Sequence, residues 1–467
     1  MTATTTDLTS HAVSATETAR VHTGKIDGAE YRIEVPVRWN GVALFYSHHY
    51  RMPGLPCPAL VVPSDDEFGP RVDAAAIRQI LLDRGYALAG TAKTTGWMLE
   101  DTLRDQVALH DWFLANIGSP THSYVWGLSP GGLASITLAQ NHPRRFDGAL
   151  SLGADASGVI NQMNLRLDAA HAINTLLVQE HDLDLGLISD PNGNVDKAVK
   201  AVNAAAQADA LTRARLILAC ALGNLVPSVD AHAPHGVTDP DAAVAHLAWI
   251  VTYSHASVIF GPARKNIEER AGGNPLWNTG VDYVDLFTRS AMRELAERAY
   301  RQAGASLIDD LNAVNAAPRV AADQHAIEYF IRTGGCPGLT PVPVVTVHAI
   351  RDGAAPVEHE RALADRVALL GDPGNLRQLY LDRNFTSSMS PAEIITALGV
   401  LEQRVETGEW QDTGAANLNR IAGAHPEAHR RVYNFWIPLE REGERYAPLP
   451  PAFVDYQPAP LPRTWPF

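Results

Sequence analysis

The sequence predicts an α/β fold in which a mostly parallel sheet carries helices on both faces and a large helical insertion interrupts the sheet. Short apolar segments alternate with helical segments from about residue 31 to residue 152. From about 153 to 335 the chain is instead rich in Ala and Leu and mostly helical in pattern, and the alternation resumes at 341. Strict alternation of strands and helices is typical of parallel sheets that are covered on both faces.

The first half of the sheet is predicted from short apolar runs that end at polar, Gly or Pro residues. The predicted strands are 31–37, Val42–Tyr46, Ala59–Pro63, Tyr86–Gly90, Tyr124–Trp126 and Gly148–Leu152. Helices are predicted between them, for example over 71–85, where apolar residues recur at helical spacing and Gly85 ends the run.

The second half contains strands at Pro341–Ile350 and Leu376–Asp382, a helix at Glu358–Leu370 and a helix that begins at Pro391. Ser390 and Glu393 form a predicted capping box around the start of that last helix. These patterns divide the chain into four segments. They are a flexible Thr/Ala/Ser-rich leader (1–23), the first part of the core (24–152), a helical lid (153–335), and the second part of the core with a Pro-rich tail (336–467).

The composition favours a small organic molecule as partner. The chain has 467 residues, a formal net charge of −14 and no cluster of Lys and Arg, which argues against nucleic acid and anionic membranes. Its three cysteines are far apart, so neither a disulfide framework nor a metal site is predicted, and no cofactor is implied. The N-terminus has no signal-peptide pattern and no later segment is predicted to span a membrane, so a cytoplasmic location is expected, with the oligomeric state open.

The segment Gly127–Gly132, GLSPGG, lies between a predicted strand and a predicted helix. Strand, G-x-S-x-G and helix in this order indicate a nucleophile elbow, in which small neighbours permit the turn that exposes Ser129. That arrangement requires an acid later in the chain and a histidine after it. Asp352 follows a strand where the acid belongs, but the loop after the next strand reads NFTSSMSPAE and contains no histidine.

These motifs resemble the actinobacterial α/β hydrolases with a large helical lid. The resemblance covers nearly the whole chain, including RWNGVALFYSHHYR, TTGWMLEDTLRDQ, VWGLSPGG, NPLWNTGVDY and LRQLYLDRNFTSSMSPAE. The resemblance implies an α/β-hydrolase fold. Members of that family typically carry the motifs S-H-G-Y, G-H-S-x-G-G and R-A-G-H-C-x-F-[ST]-P-A-E. In this chain the histidine of the last motif falls on Thr386, and the glycine of the first falls on His49.

The departures from that pattern predict weakened ester hydrolysis. A serine hydroxyl without an adjacent base is a poor nucleophile, so Thr386 in place of histidine should slow acylation. Pro130 follows the serine and has no N–H to donate to an oxyanion. His48 and His49 are expected beside Ser129, where an imidazole could transfer protons while Ser129 and Thr386 hold a substrate oxygen by hydrogen bonds. Asp352 is expected in the same site.

The other site assignments are less direct. Pro130, His171 in the lid helix and Trp277 in NPLWNTGVDY are predicted to contact substrate, and His425 or His429 could replace the missing base. The resulting hypothesis is a cofactor-independent, non-hydrolytic enzyme of small-molecule biosynthesis that catalyses a cyclisation, elimination or isomerisation. The alternatives are a re-wired serine esterase or acyltransferase, and a non-catalytic binding protein.

Overall fold

The computed structural model describes residues 8–15, 18–64, 72–92 and 94–464. Its strands are β1 (Leu8–Ala15), β2 (Ala19–Ile26), β3 (Ala29–Pro36), β4 (Val42–Ser47), β5 (Ala87–Ala92), β6 (His122–Leu128), β7 (Gly148–Leu152), β8 (Val344–Arg351), β9 (Leu376–Asn384), β10 (Arg431–Tyr433), β11 (Tyr446–Pro448) and β12 (Phe453–Val454). Ten of them form one sheet in the order β1-β2-β3-β5-β4-β6-β7-β8-β9-β12, and β10 pairs with β11.

The centre of the large sheet is parallel and its edges are antiparallel. Strands β5, β4, β6, β7, β8 and β9 pair in parallel, whereas β1, β2 and β3 at one edge and β12 at the other are antiparallel to their neighbours. The parallel strands all end at the same edge of the sheet. Residues that follow β4, β6, β7, β8 and β9 therefore meet there.

Helices cover both faces of the sheet. One face packs against α1 (Ala74–Asp83), α15 (Pro391–Thr407) and α16 (Ala415–Gly423), and the other against α2 (Leu99–Asn116), α3 (Pro130–Asn141) and α14 (Glu358–Leu370). Alternation along β4 divides its side chains between the two cores. Ala43 and Phe45 join one core, and Leu44 and Tyr46 join the other.

A run of helices separates β7 from β8. They are α4 (Val159–Leu177), α5 (Pro191–Ala206), α6 (Ala210–Leu222), α7 (Pro240–Trp249), α8 (Ala256–Phe260), α9 (Pro262–Ala271), α10 (Tyr283–Thr288), α11 (Arg293–Ala303), α12 (Leu307–Ala316) and α13 (Gln324–Gly334), with a π-helix at Ile250–His255. Most of them share a third apolar core of their own. The division of the chain into lid and core domains stays a prediction.

The helical run Pro240–Ala271 is long and apolar enough to span a membrane by length and composition, with a mean hydropathy of 1.4 in its most apolar window. We had predicted no such segment. However, 61% of that window is buried inside the protein, as expected of a core helix.

Two further expectations differ from the structure. Within the predicted leader, the described residues include β1 and β2, which pair with each other, and β2 also pairs with β3; residues 1–7, 16 and 17 lie outside the described part. Residues 59–63 are not a strand. In the sheet, β5 already pairs with β3 on one side and β4 on the other, so no place beside it is left for residues 59–63. The carbonyl oxygen of Leu60 instead packs on Gly90, and a Cβ added to Gly90 would lie 1.8 Å from that oxygen.

Candidate active site

Ser129 occupies a strained turn between β6 and α3. Its backbone has φ 58° and ψ −128°, a conformation that non-glycine residues rarely adopt. The Ser129 N–H donates to the carbonyl of Leu152 over 2.8 Å, which joins the turn to the end of β7. The side chain is only half-buried and makes no capping hydrogen bond to α3. A substrate can therefore reach this hydroxyl, as a nucleophile elbow requires.

The glycines of the elbow are required by close backbone contacts. A Cβ on Gly131 would lie 2.1 Å from the carbonyl oxygen of Ser47, and one on Gly127 would lie 2.4 Å from the backbone of Gly131. Because these neighbours are backbone atoms, a side chain could not displace them cheaply. The turn therefore packs directly against the segment that follows β4.

Asp352 lies in the loop after β8 and is fully buried. Its Oδ1 accepts hydrogen bonds from the N–H groups of Ala354 and Ala355, over 2.7 and 3.0 Å. Its Oδ2 makes no hydrogen bond among the described residues but lies 3.5 Å from Nε2 of His348. One carboxylate oxygen thus holds the loop, and the other faces His348.

Thr386 lies in the loop after β9, beside Asp352 Oδ2. Phe385 and Ser387 on either side of it have left-handed backbones, with φ of 67° and 61°, so this loop is strained as well. A Cβ added to Gly153 would lie 3.0 Å from Thr386 Oγ1 and 4.0 Å from Asp352 Oδ2, so both oxygens face one point. Thr386 Oγ1 is buried without a hydrogen bond among the described residues.

The elbow after β6, the acid after β8 and a third strained loop after β9 lie at the same edge of a mostly parallel sheet, in the chain order of a hydrolase site. The chain has the α/β-hydrolase fold. This confirms the fold expected from the sequence. In this α/β-hydrolase chain the third loop carries Thr386, whose hydroxyl oxygen is buried.

The S-H-H-Y segment follows β4 and its backbone packs on the elbow, as expected. A Cβ on Gly131 would lie 2.6 Å from the carbonyl of His48. His48 Nδ1 bonds to the carbonyl of His49 over 2.7 Å, and both side chains are buried. Burial lowers the pKa of His48 to about 4, and the bond to the His49 carbonyl offsets only part of that effect. His48 is therefore neutral near pH 7, and its proposed catalytic role stays a prediction.

A polar cluster that the sequence analysis missed lies beside Asp352, formed by Tyr50, Asp155, Arg166 and His255. Arg166 Nη2 donates to the carbonyl of Ala354 over 3.1 Å, and His255 Nε2 lies 3.5 Å from the same oxygen. Burial raises the pKa of Asp155 to about 6, with Arg166 opposing the shift. Burial also lowers the pKa of His255 to about 3. Arg166, flanked by Leu165 and Leu167 in the mostly uncharged helix α4, was the available sequence signal.

Two buried histidines were also missed. His348 contacts Glu360 and Asp352, at 3.0 and 3.5 Å. His359 Nδ1 accepts from the hydroxyl of Ser157 over 2.6 Å, and its Nε2 donates to Gln162 Oε1 over 2.9 Å. Gln162 in turn donates to the carbonyl of Ala354. This chain of hydrogen bonds connects α4 and α14 to the loop that carries Asp352.

The structure does not bring the two predicted lid residues to Ser129 through any hydrogen bond or ring contact among the described residues. His171 stacks on Tyr283 and bonds to the carbonyl of Val314 over 3.0 Å. It also lines a separate cavity of about 820 Å³. The ring of Trp277 lies 5.6 Å from the guanidinium of Arg463. Substrate contact by His171, Trp277 and Pro130 stays a prediction.

The histidines considered as replacement bases lie elsewhere. The ring centroids of His425 and His429 are 6.1 Å apart. Burial and, to a smaller extent, the positive charge of Arg84 lower the pKa of His425, so Arg84 lies near it. Arg84 precedes β5, so His425 is at the edge of the sheet opposite Ser129. The expectation that His425 swings in to act as base is therefore not supported by its position.

Comparisons with known proteins point to hydrolysis. No protein-family model matches the chain. The chain is 29% identical over 425 residues to an o-phthalyl amidase of Xanthobacter agilis, covering 85% of this chain and 90% of that protein. Among solved structures it is similar to an esterase of Aspergillus oryzae (14% identity, TM-score 0.39, 84% of this chain and 81% of that one). It is also similar to feruloyl esterase B of the same organism (13%, 0.36, 88% and 89%).

The prediction of a non-hydrolytic cyclase, lyase or isomerase is wrong. The amidase relative is a hydrolytic enzyme and spans most of the chain. Thr386 at the position where related hydrolases carry a histidine does not by itself exclude hydrolysis. A carboxylate and hydroxyls that stay together at the elbow can still support attack on an acyl group.

Proposed function

We propose that the protein hydrolyses the amide bond of a small aromatic dicarboxylic acid monoamide of the o-phthalyl type, with Ser129 as the nucleophile. The observation that carries this proposal is the strained, half-buried Ser129 of the elbow, in a chain similar over 425 residues to an o-phthalyl amidase. Ester hydrolysis at the same serine is the closest variant of this reaction. The substrate is a small molecule, and the reaction needs only water as co-substrate, which agrees with action in the cytoplasm without a cofactor.

The proposed site uses a degenerate triad, in which Asp352 acts as base. Asp352 Oδ2 and Thr386 Oγ1 face one point beside Gly153, and neither has a hydrogen bond among the described residues. Two buried polar oxygens so arranged can bind a water molecule. In our proposal that water relays the Ser129 proton to the carboxylate as Oγ attacks the amide carbon, and the C–N bond then breaks as the amine leaves with that proton. A second water attacks the acyl-enzyme, which releases the dicarboxylic acid and returns a proton to Ser129. Carboxylates are established general bases when they lie within one water of the proton.

The oxyanion is bound by backbone N–H groups other than that of residue 130. Pro130 cannot donate, but Gly131 is the second residue of α3, so its N–H has no acceptor within the helix. We propose that this N–H and the backbone of residues 49 and 50 bind the oxyanion. Loss of one such donor costs about 10²–10³ in rate. The turnover number should therefore be low for a serine hydrolase.

The test uses the mono-p-nitroanilide of benzene-1,2-dicarboxylic acid, whose cleavage releases p-nitroaniline, with the uncatalysed rate subtracted. The wild-type protein should cleave it, and Ser129→Ala should lower kcat by about 10³ or more. Ser123→Ala is the matched control, because Ser123 is a buried serine at the opposite end of β6. Equal turnover by the Ser129→Ala and wild-type proteins would exclude Ser129 as the nucleophile.

The base is tested separately. Asp352→Asn keeps an Oδ1 acceptor for Ala354 and Ala355 but removes the charge, and it should lower kcat by about 10²–10⁴. Thr386→Val should lower it by about tenfold. The control is Thr396→Val, because that buried hydroxyl bonds only within its helix, to the carbonyl of Ala392. A wild-type kcat in Asp352→Asn would contradict the assignment.

A further inference from the structure

Arg166 carries a guanidinium whose donors are mostly unused. Nη2 donates to the carbonyl of Ala354, whereas Nη1 contacts only the Sδ of Met163, a weak acceptor, over 3.4 Å. Nε is buried and has no hydrogen bond, and no carboxylate in the described part of the chain forms an ion pair with Arg166. Buried guanidinium groups are normally paired with carboxylates, because an unpaired buried charge is costly. Arg166 therefore has the character of an anion-binding residue.

Tyr50 supplies a second unused donor. Its hydroxyl is buried and makes no hydrogen bond among the described residues. Burial raises the pKa of Tyr50, and the positive charge of Arg166 offsets only part of that shift, so the phenol is protonated near neutral pH. The protonated phenol therefore adds a second kind of donor for an anion to that of the guanidinium.

The two residues approach the site from different elements. Tyr50 follows the S-H-H segment that packs on the elbow, and Arg166 projects from α4 onto the loop that carries Asp352. Asp155 and Asp352 lie within electrostatic range of Arg166 but outside ion-pair distance. The guanidinium is thus held near the reacting groups without being neutralised by direct contact.

We propose that Arg166 and Tyr50 bind a carboxylate of the substrate, the one adjacent to the amide that Ser129 attacks. This rests on the proposed function and names the subsite that selects its substrate. In a benzene-1,2-dicarboxylic monoamide the carboxylate and the amide carbonyl stand on neighbouring ring carbons. Binding of the carboxylate by a guanidinium therefore also positions the amide carbonyl beside Ser129. Such positioning raises the rate and offsets part of the cost of lacking a histidine base and an N–H at residue 130.

The test compares two p-nitroanilides, one with the 2-carboxylate and one with a 2-methyl group in its place. The ratio of their kcat/KM values measures recognition of the carboxylate. Tyr50→Phe should lower this ratio by about tenfold and Arg166→Gln by about 10²-fold, as for hydrogen bonds to a charged group. Arg213→Gln, at an exposed lid arginine of α6 that pairs with Asp241, is the control and should leave the ratio unchanged.

The outcomes separate this inference from the hydrolysis itself. If Arg166→Gln lowers kcat/KM equally for both anilides, the subsite is overturned while hydrolysis at Ser129 stands. If the wild-type protein cleaves neither anilide, the subsite is tested by binding alone, with titration calorimetry of benzene-1,2-dicarboxylate into the wild-type and Arg166→Gln proteins. Binding to the wild type that is weakened tenfold or more in Arg166→Gln supports the subsite, whereas equal binding to both proteins, or none, overturns it.

Discussion

The imidazole of His348 lies 3.0 Å from the carboxylate of Glu360, through Nδ1, and both side chains are fully buried. Its Nε2 faces the carbonyl of Ala355 at 2.8 Å and Asp352 Oδ2 at 3.5 Å. Because both ring nitrogens face acceptors, both carry protons. Burial alone would lower the pKa of His348, but the carboxylates of Asp352 and Glu360 outweigh it and raise the pKa to about 10.

The imidazolium of His348 predicts a pH-dependent stability. The folded pKa is above the unfolded one of about 6.5, so the stabilisation is fully present below pH 6.5 and is lost as the pH rises toward 10. Urea unfolding at pH 6, 8 and 9.5 should show this loss, and Glu360→Gln should reduce it. The exposed His235→Gln variant should keep the wild-type profile. An unchanged profile in Glu360→Gln would contradict the assignment.

Asp155 predicts a second loss of stability with rising pH, in a lower pH range. Burial raises its pKa to about 6, so the folded protein prefers the protonated carboxyl and loses stability as the pH rises from about 4 to 6. Asp155→Asn should therefore raise the free energy of unfolding at pH 7.5, on the order of 2 kcal/mol, and should have little effect at pH 4. Denaturant unfolding at the two pH values is the measurement, and a destabilised variant at pH 7.5 would show that Arg166 needs the negative charge.

Substitution by alanine should be harmful at Gly131 and stabilising at Gly399. A Cβ on Gly131 would meet the carbonyls of Ser47 and His48 at 2.1 and 2.6 Å, so Gly131→Ala should displace the elbow and abolish turnover. Gly399 lies inside α15, and a Cβ there meets nothing within 4 Å. Gly399→Ala should therefore stabilise the protein by about 0.5–1 kcal/mol and leave turnover unchanged. Thermal unfolding and the anilide assay test both variants.

Thr386→His should restore little esterase activity by itself, because Pro130 still lacks an N–H. We expect the double variant Pro130→Ala/Thr386→His to hydrolyse p-nitrophenyl acetate faster than the product of the two single effects predicts, since the base and the oxyanion donor act on one transition state. Steady-state rates of the four proteins give the coupling. A large gain in Thr386→His alone would show that the N–H of residue 130 is not needed.

Several features were predictable because they depend on local pattern. The elbow follows from glycines on both sides of Ser129, and the capping box of Ser390 and Glu393 is present as expected. Asp352 was identified from its place after a strand and Thr386 from the resemblance to α/β hydrolases, and parallel pairing brings the ends of β8 and β9 together. By contrast, β1 and β2 were missed because edge strands with weak alternation resemble a polar leader.

The sequence by itself determined the central parallel strands and the turn that exposes Ser129, since strand periodicity and turn geometry are encoded by short-range patterns and by glycine. Only the tertiary structure decided which polar groups surround the loop that carries Asp352. Arg166 comes from α4, Tyr50 from the segment after β4, and His348 from within the mostly apolar strand β8. Residues so far apart in sequence gain a common electrostatic environment only when burial removes water from between them, and no local pattern records that.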